Sequence, residues 1–162
     1  LVREVLPKVQ RHFAVATDPA RVAIGGSSLG AAMALHTASR HPDHFGMVLL
    51  ESLPLRTAEP AAWSRWLDSI QTWPSKIYLG VGTQELADKP ESDPANQGYA
   101  DATRALADRL PPGFKTDSPT SPARLKLVVQ PGATHTESAW AARLPEALRF
   151  LFPPTAPAPT SP

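Results

Sequence analysis

Apolar residues recur along the chain in two alternating rhythms. Val2, Val5, Leu6, Val9 and Phe13 return every three or four residues, with Arg3, Glu4, Lys8, Gln10 and Arg11 between them, which predicts an amphipathic helix over the first fifteen residues. Pro7 fits poorly inside such a helix and is expected to kink it. Beyond the turn signal Asp18-Pro19, the short run Arg21 to Gly25 is rich in β-branched residues and ends in glycine, the signature of a buried strand. The alanine-rich stretch from Ser28 to Arg40 carries Leu29, Met33 and Leu35 and predicts a helix closed by His41-Pro42.

The same alternation continues. Met47 to Leu50, Lys76 to Val81 and Leu125 to Val129 read as strands. Helices are expected around Trp63 to Gln71, from Gln97 to Leu110, and over the segment marked by Trp140, Leu144, Leu148 and Leu151. Polar, proline-containing loops are expected over 83–97 and 111–122, and five prolines in residues 153–162 predict a disordered or polyproline-like tail. Strands separated by helices imply a parallel sheet, because each parallel pair needs a crossover connection. The expected fold is therefore α/β, a three-layer α/β/α sandwich in one domain over 1–152, with its chemistry at the carboxyl ends of the strands.

Composition narrows the function. Sixteen Lys and Arg against fifteen Asp and Glu leave a net charge of +1, which does not point to nucleic acid or an acidic membrane surface as a partner. The chain has no cysteine, which removes disulfides, thiolate metal sites and cysteine nucleophiles, and it leaves the compartment open. No apolar run approaches the roughly 18 residues a membrane span needs. No phosphate-cradling loop and no histidine pair with metal-ligand spacing is present, so neither a cofactor nor a metal is expected. A group of three tryptophans, Trp63, Trp66 and Trp73, is expected to pack into the core rather than to form a lid.

Gly26-Ser27-Ser28-Leu29-Gly30 has the pattern GxSxG between an apolar strand and a helix. A serine on so tight a bend has a strained backbone and an exposed hydroxyl, and the flanking positions must be small for strand and helix to approach; Gly26 and Gly30 are read as meeting that need. Ser28 is the expected nucleophile, and the N–H of Leu29, at the head of the helix, the expected oxyanion donor. A serine hydroxyl needs a base. Of five histidines, His135 follows the last strand in Gly132-Ala133-Thr134-His135, where the chain order serine, acid, histidine places it. His12 and His36 fall within helices, and His41 and His44 at a helix end. The acid must orient the imidazole from the end of an intervening strand. Glu85 is the nearest candidate, with Asp88, Glu91 and Asp93 in the same loop as alternatives.

Four segments together resemble the Putative esterase family of α/β hydrolases, which includes esterase D, the enterochelin esterases and the antigen 85 acyltransferases. They are Ile24 to Gly30, Arg40 to Gly46, Gly80 to Glu85, and Pro131 to His135 followed by Trp140. The resemblance implies an α/β-hydrolase fold with Ser28 as nucleophile, His135 as base and Glu85 as acid. It implies a small-molecule ester as substrate, cleaved through an acyl-enzyme, with acyl transfer as the variant that uses the same residues. Ala31 stands where many relatives carry a second glycine. Relatives also begin earlier, with strands and a loop donating the second oxyanion N–H, so the chain is expected to be an N-terminally truncated form of the fold, one whose sheet edges favour self-association. Losing one oxyanion donor costs roughly 2.7–4 kcal/mol in the transition state. A hydrolase-like binding module without full activity is the competing expectation.

Overall fold

The computed structural model describes residues 1–55, 59–114 and 123–154. Four strands, β1 (Ala23–Ser27), β2 (Met47–Glu51), β3 (Lys76–Gly82) and β4 (Leu125–Gln130), form a wholly parallel sheet in the order β1-β2-β3-β4. The helices are α1 (Val5–His12), α2 (Leu29–Arg40), α3 (Pro60–Asp68), α4 (Pro94–Arg109) and α5 (Glu137–Leu151), with short 3-10 turns at Pro19–Arg21 and Pro112–Phe114.

Strands that follow one another across the sheet by right-handed crossovers must carry their connecting helices on a single face. Alternation of side chains along the strands shows this. Val48, Leu50, Ile77 and Leu79 point one way, into a core shared with Ala31, Leu35 and Ala38 of α2, Leu67 of α3 and Leu106 and Leu110 of α4. Met47 and Tyr78 point the other way and pack against Ala147 and Leu151 of α5. The three-layer α/β arrangement follows, with α1 to α4 on one side and α5 on the other. Each fully buried leucine or isoleucine in these cores contributes about 1.5–3 kcal/mol. Ala31 is fully buried in the larger core, which absorbs its methyl group.

Several expectations change. β1 begins two residues later than expected and includes both glycines, and it is not buried: it lies at the edge of the sheet, and every residue of it keeps some exposure. A short apolar run does not distinguish an edge strand from a central one. Pro7 is the third residue of α1, where its missing N–H costs nothing, and α1 starts at Val5 rather than near Leu1. Val5 and Phe13 are exposed, while Val2 and Leu6 pack against the core. α4 begins at Pro94, earlier than Gln97, because the Asp93 carboxylate accepts the Ala95 N–H at 2.8 Å and proline suits the first helical position. The tail from 155 onward and most of the 111–122 loop lie outside the described residues. Among the described residues no helix is long and apolar enough to cross a membrane, and no group of three or more His, Asp or Glu is placed to hold a metal ion.

Candidate active site

Because all four strands run the same way, their carboxyl ends line one edge of the sheet, and the chain leaves each strand there. At the end of β1 the backbone bends at Ser28, which has φ 55° and ψ −125°, a positive φ that L-residues other than glycine seldom adopt. The neighbouring strand holds the bend: the Ser28 N–H donates to the Glu51 carbonyl at 2.9 Å, and the Ser28 carbonyl accepts the Ala31 N–H at 3.0 Å as α2 begins. A Cβ on Gly26 would fall 2.4 Å from the Gly30 carbonyl carbon, so the strand must be bare at that point. The expected symmetry fails on the other side, since a Cβ on Gly30 would meet nothing within 4 Å. It is the backbone of Gly30, rather than its lack of a side chain, that crowds the strand. The N–H of Leu29, at the first position of α2, is one of the donors that a helix start leaves without an intrahelical partner.

At the end of β3 the chain turns tightly, and the Gly82 N–H donates to Glu85 Oε1 at 2.6 Å. Ser52, one residue beyond β2, also has a positive φ (48°); its N–H donates to the Gly80 carbonyl at 2.7 Å and its hydroxyl to the same Glu85 Oε1 at 2.7 Å. The other oxygen, Glu85 Oε2, lies 2.6 Å from His135 Nδ1. Glu85 is buried, whereas the His135 side chain remains 29% exposed. The imidazole sits between rings, 5.2 Å from Trp140 edge to face and 6.4 Å from Tyr99, and the Trp140 indole N–H donates to the Ser52 hydroxyl at 3.0 Å.

The loop carrying His135 is tied to β3. Gln84 N–H donates to the Ala133 carbonyl at 3.0 Å, and a Cβ on Gly82 would fall 2.0 Å from that same oxygen. Gly132 turns the chain with φ 67°, its N–H donating to the Thr83 hydroxyl oxygen at 2.8 Å, and that hydroxyl donates in turn to the Glu91 carboxylate. Of the four carboxylates in the 83–97 loop, therefore, the structure brings Glu85 to His135. Glu91 braces the loop, Asp93 caps α4, and Asp88 is exposed. The remaining histidines lie elsewhere: His12 Nδ1 is 2.8 Å from the Lys8 carbonyl oxygen, His36 sits beside Trp66, His41 ends α2, and His44 contacts Asp43. Among the described residues no hydrogen bond joins the Ser28 hydroxyl to His135; contacts of this kind often tighten only with substrate in place.

Behind this edge lies a buried ion pair that sequence reasoning missed. Arg143 of α5 donates from Nε to Glu51 Oε2 at 2.8 Å, with Nη2 2.7 Å from the same oxygen, and from Nη1 to Gln130 Oε1 at 2.8 Å. Burial pushes the Glu51 carboxyl above its ordinary value, against the pull of Arg143, and Oε1 has no hydrogen-bond partner. A Cβ on Gly80 would lie 2.3 Å from Glu51 Oε2, so glycine there makes room for the carboxylate. The three tryptophans pack against the core as expected, and Trp63 and Trp66 also line an apolar cleft of about 310 Å³ with Ala32 and Met33.

The family described as Putative esterase matches residues 1–151. The chain belongs to that family. A search of curated proteins finds no match. Among solved structures, this esterase-family chain is similar to the enterobactin esterase of Shigella flexneri, at 22% identity and a TM-score of 0.70 over 93% of this chain and 36% of that one. It is similar to the S-formylglutathione hydrolase of Staphylococcus aureus, at 14% identity and a TM-score of 0.59 over 93% and 58% of the two chains. The BES protein of Bacillus cereus is similar at 18% identity and a TM-score of 0.61, over 92% and 52%. Such likenesses establish the fold, and the chain spans about a third of the enterobactin esterase it matches.

Proposed function

We propose that the chain is a serine carboxylic-ester hydrolase acting through an acyl-enzyme. Ser28 is the nucleophile, His135 the general base, Glu85 the acid that orients it, and the Leu29 N–H an oxyanion donor. The observation that carries this reading is the 2.6 Å contact between Glu85 Oε2 and His135 Nδ1, at the same sheet edge where Ser28 sits on a bend of positive φ at the head of a helix.

With Nδ1 bonded to the carboxylate, the ring carries its proton there and offers Nε2 as the acceptor. The Ser28 hydroxyl gives its proton to Nε2 as its oxygen bonds to the ester carbonyl carbon. The carbonyl oxygen takes up the negative charge beside the Leu29 N–H. The tetrahedral intermediate then expels the alkoxide, which leaves as the alcohol with the proton from the imidazolium, and a Ser28 acyl ester remains. Water, deprotonated by the same ring, cleaves that ester to release the acid and regenerate the hydroxyl. An acceptor alcohol in place of water would give acyl transfer on the same residues. A second reading, a hydrolase-like binding module, is favoured by one observation: among the described residues no hydrogen bond joins the Ser28 hydroxyl to His135.

Incubation of this chain with a short p-nitrophenyl ester separates the two. The enzyme reading expects a nitrophenolate burst and covalent labelling by an organophosphonate, both abolished by Ser28→Ala. It also expects turnover to fall about 10²- to 10⁴-fold in His135→Ala. No burst and no labelling of the wild type would leave only the binding module.

A further inference from the structure

Ser52 and Trp140 belong to none of the roles assigned above, yet Ser52 bonds to the acid and Trp140 bonds to Ser52. The indole N–H can only donate, so where it meets the Ser52 hydroxyl the oxygen must accept, and the single hydroxyl proton is directed elsewhere. Its other partner is Glu85 Oε1, 2.7 Å away, and the Gly82 N–H reaches the same oxygen at 2.6 Å. Oε1 is thus occupied by two donors, and Oε2 faces His135 Nδ1 alone. The same indole stands against the imidazole at 5.2 Å with an interplanar angle of 82°, so it borders the base directly and the acid through Ser52.

The backbone strengthens the point. Ser52 has φ 48°, in the left-handed region that favours glycine, and the only polar group serine adds there is its hydroxyl. The chain keeps a strained serine, fully buried, where its hydroxyl reaches Glu85.

Resting on the esterase reading, we propose that Ser52 and Trp140 are positioning residues. A directed chain of donors, Trp140 N–H to Ser52 O–H to Glu85 Oε1, fixes the carboxylate so that its second oxygen meets the His135 ring in the orientation that leaves Nε2 toward Ser28. Neither residue touches substrate; both act through Glu85.

Ser52→Gly tests this, because glycine accepts the positive φ while the hydroxyl is lost together with the methylene that carries it. In this chain we expect kcat for a short p-nitrophenyl ester to fall about 10- to 100-fold with KM unchanged. Trp140→Phe, which keeps a ring but removes the N–H, should fall less, and the double variant no further than Ser52→Gly, since both cut one chain. A readout independent of turnover is the far-downfield proton resonance of an imidazole N–H bonded to a carboxylate. It should be present in the wild type and in Ser28→Ala, and shifted or lost by exchange in Ser52→Gly. A Ser52→Gly variant that keeps both the resonance and the wild-type kcat would overturn the proposal while leaving the esterase reading intact. A wild type without burst or labelling would remove the esterase reading, and the resonance comparison would still decide whether the donor chain orders the pair.

Discussion

On the β3 and β4 side of the sheet edge, Glu85 is met by Gly82, Ser52 and His135, each within 2.7 Å, and is 2% exposed. On the β1 side, Ser28 is held through its main chain at the end of an edge strand, and Leu29 beside it is 70% exposed. The Glu85 and His135 side is fixed by side chains around a buried carboxylate, where an unpaired polar group is costly. The side of the proposed nucleophile is fixed by backbone geometry, which would leave the hydroxyl free to turn toward an incoming carbonyl. An orienting pair needs a single arrangement, while a nucleophile needs a fixed origin and a mobile tip.

This contrast can be broken at graded strength. Arg143→Met removes the partner of a buried carboxylate behind the β3 and β4 side and should cost about 3–5 kcal/mol, read from the urea midpoint. Next, Gly82→Ala forces a methyl group against the Ala133 carbonyl two residues before His135. We expect a loss of about 1–3 kcal/mol and slowed ester cleavage, measured by thermal unfolding and p-nitrophenyl ester turnover. A smaller effect is tied to pH. Because the Glu51 carboxyl is raised by burial, the native state binds more protons than the unfolded chain above the ordinary value of 4.5, and its contribution to stability declines as pH climbs through that range. The stability of the wild type relative to Glu51→Gln should therefore drift downward with rising pH, as followed by urea titration at successive pH values. The smallest change belongs to the nucleophile side: Gly30→Ala meets open space within a helix and should raise stability by up to about 1 kcal/mol, visible as a slightly higher Tm.

Legibility in the sequence followed the same divide. The bend at Ser28 could be read because its requirements are local: an apolar run, glycine two residues before, a helix immediately after. His135 was readable from its place beyond the last strand. Glu85 stood among four carboxylates, and only the tight turn that brings Gly82 N–H back onto it sets it apart. Ser52 could not be read at all, and Trp140 could be read only as part of the family resemblance and of the last helix, not as a donor to Ser52. Their partners lie 33 and 88 positions away along the chain, and a lone serine after a strand carries no spacing that betrays a contact made through the sheet. The exposure of β1 was likewise hidden, because it depends on which strand lies next to it and not on its own residues. The Glu51 and Arg143 pair joins β2 to α5 across 92 positions and was invisible for the same reason.

Two consecutive amides at the β1 bend have opposite fates. The one on Ser28 is locked to the Glu51 carbonyl, while the next, on Leu29, opens a helix and points away from any main-chain acceptor within it. In deuterated solvent the first should take up the isotope slowly and the second quickly, a one-residue boundary between the part of the chain that anchors and the part whose N–H the proposed mechanism offers to an oxyanion.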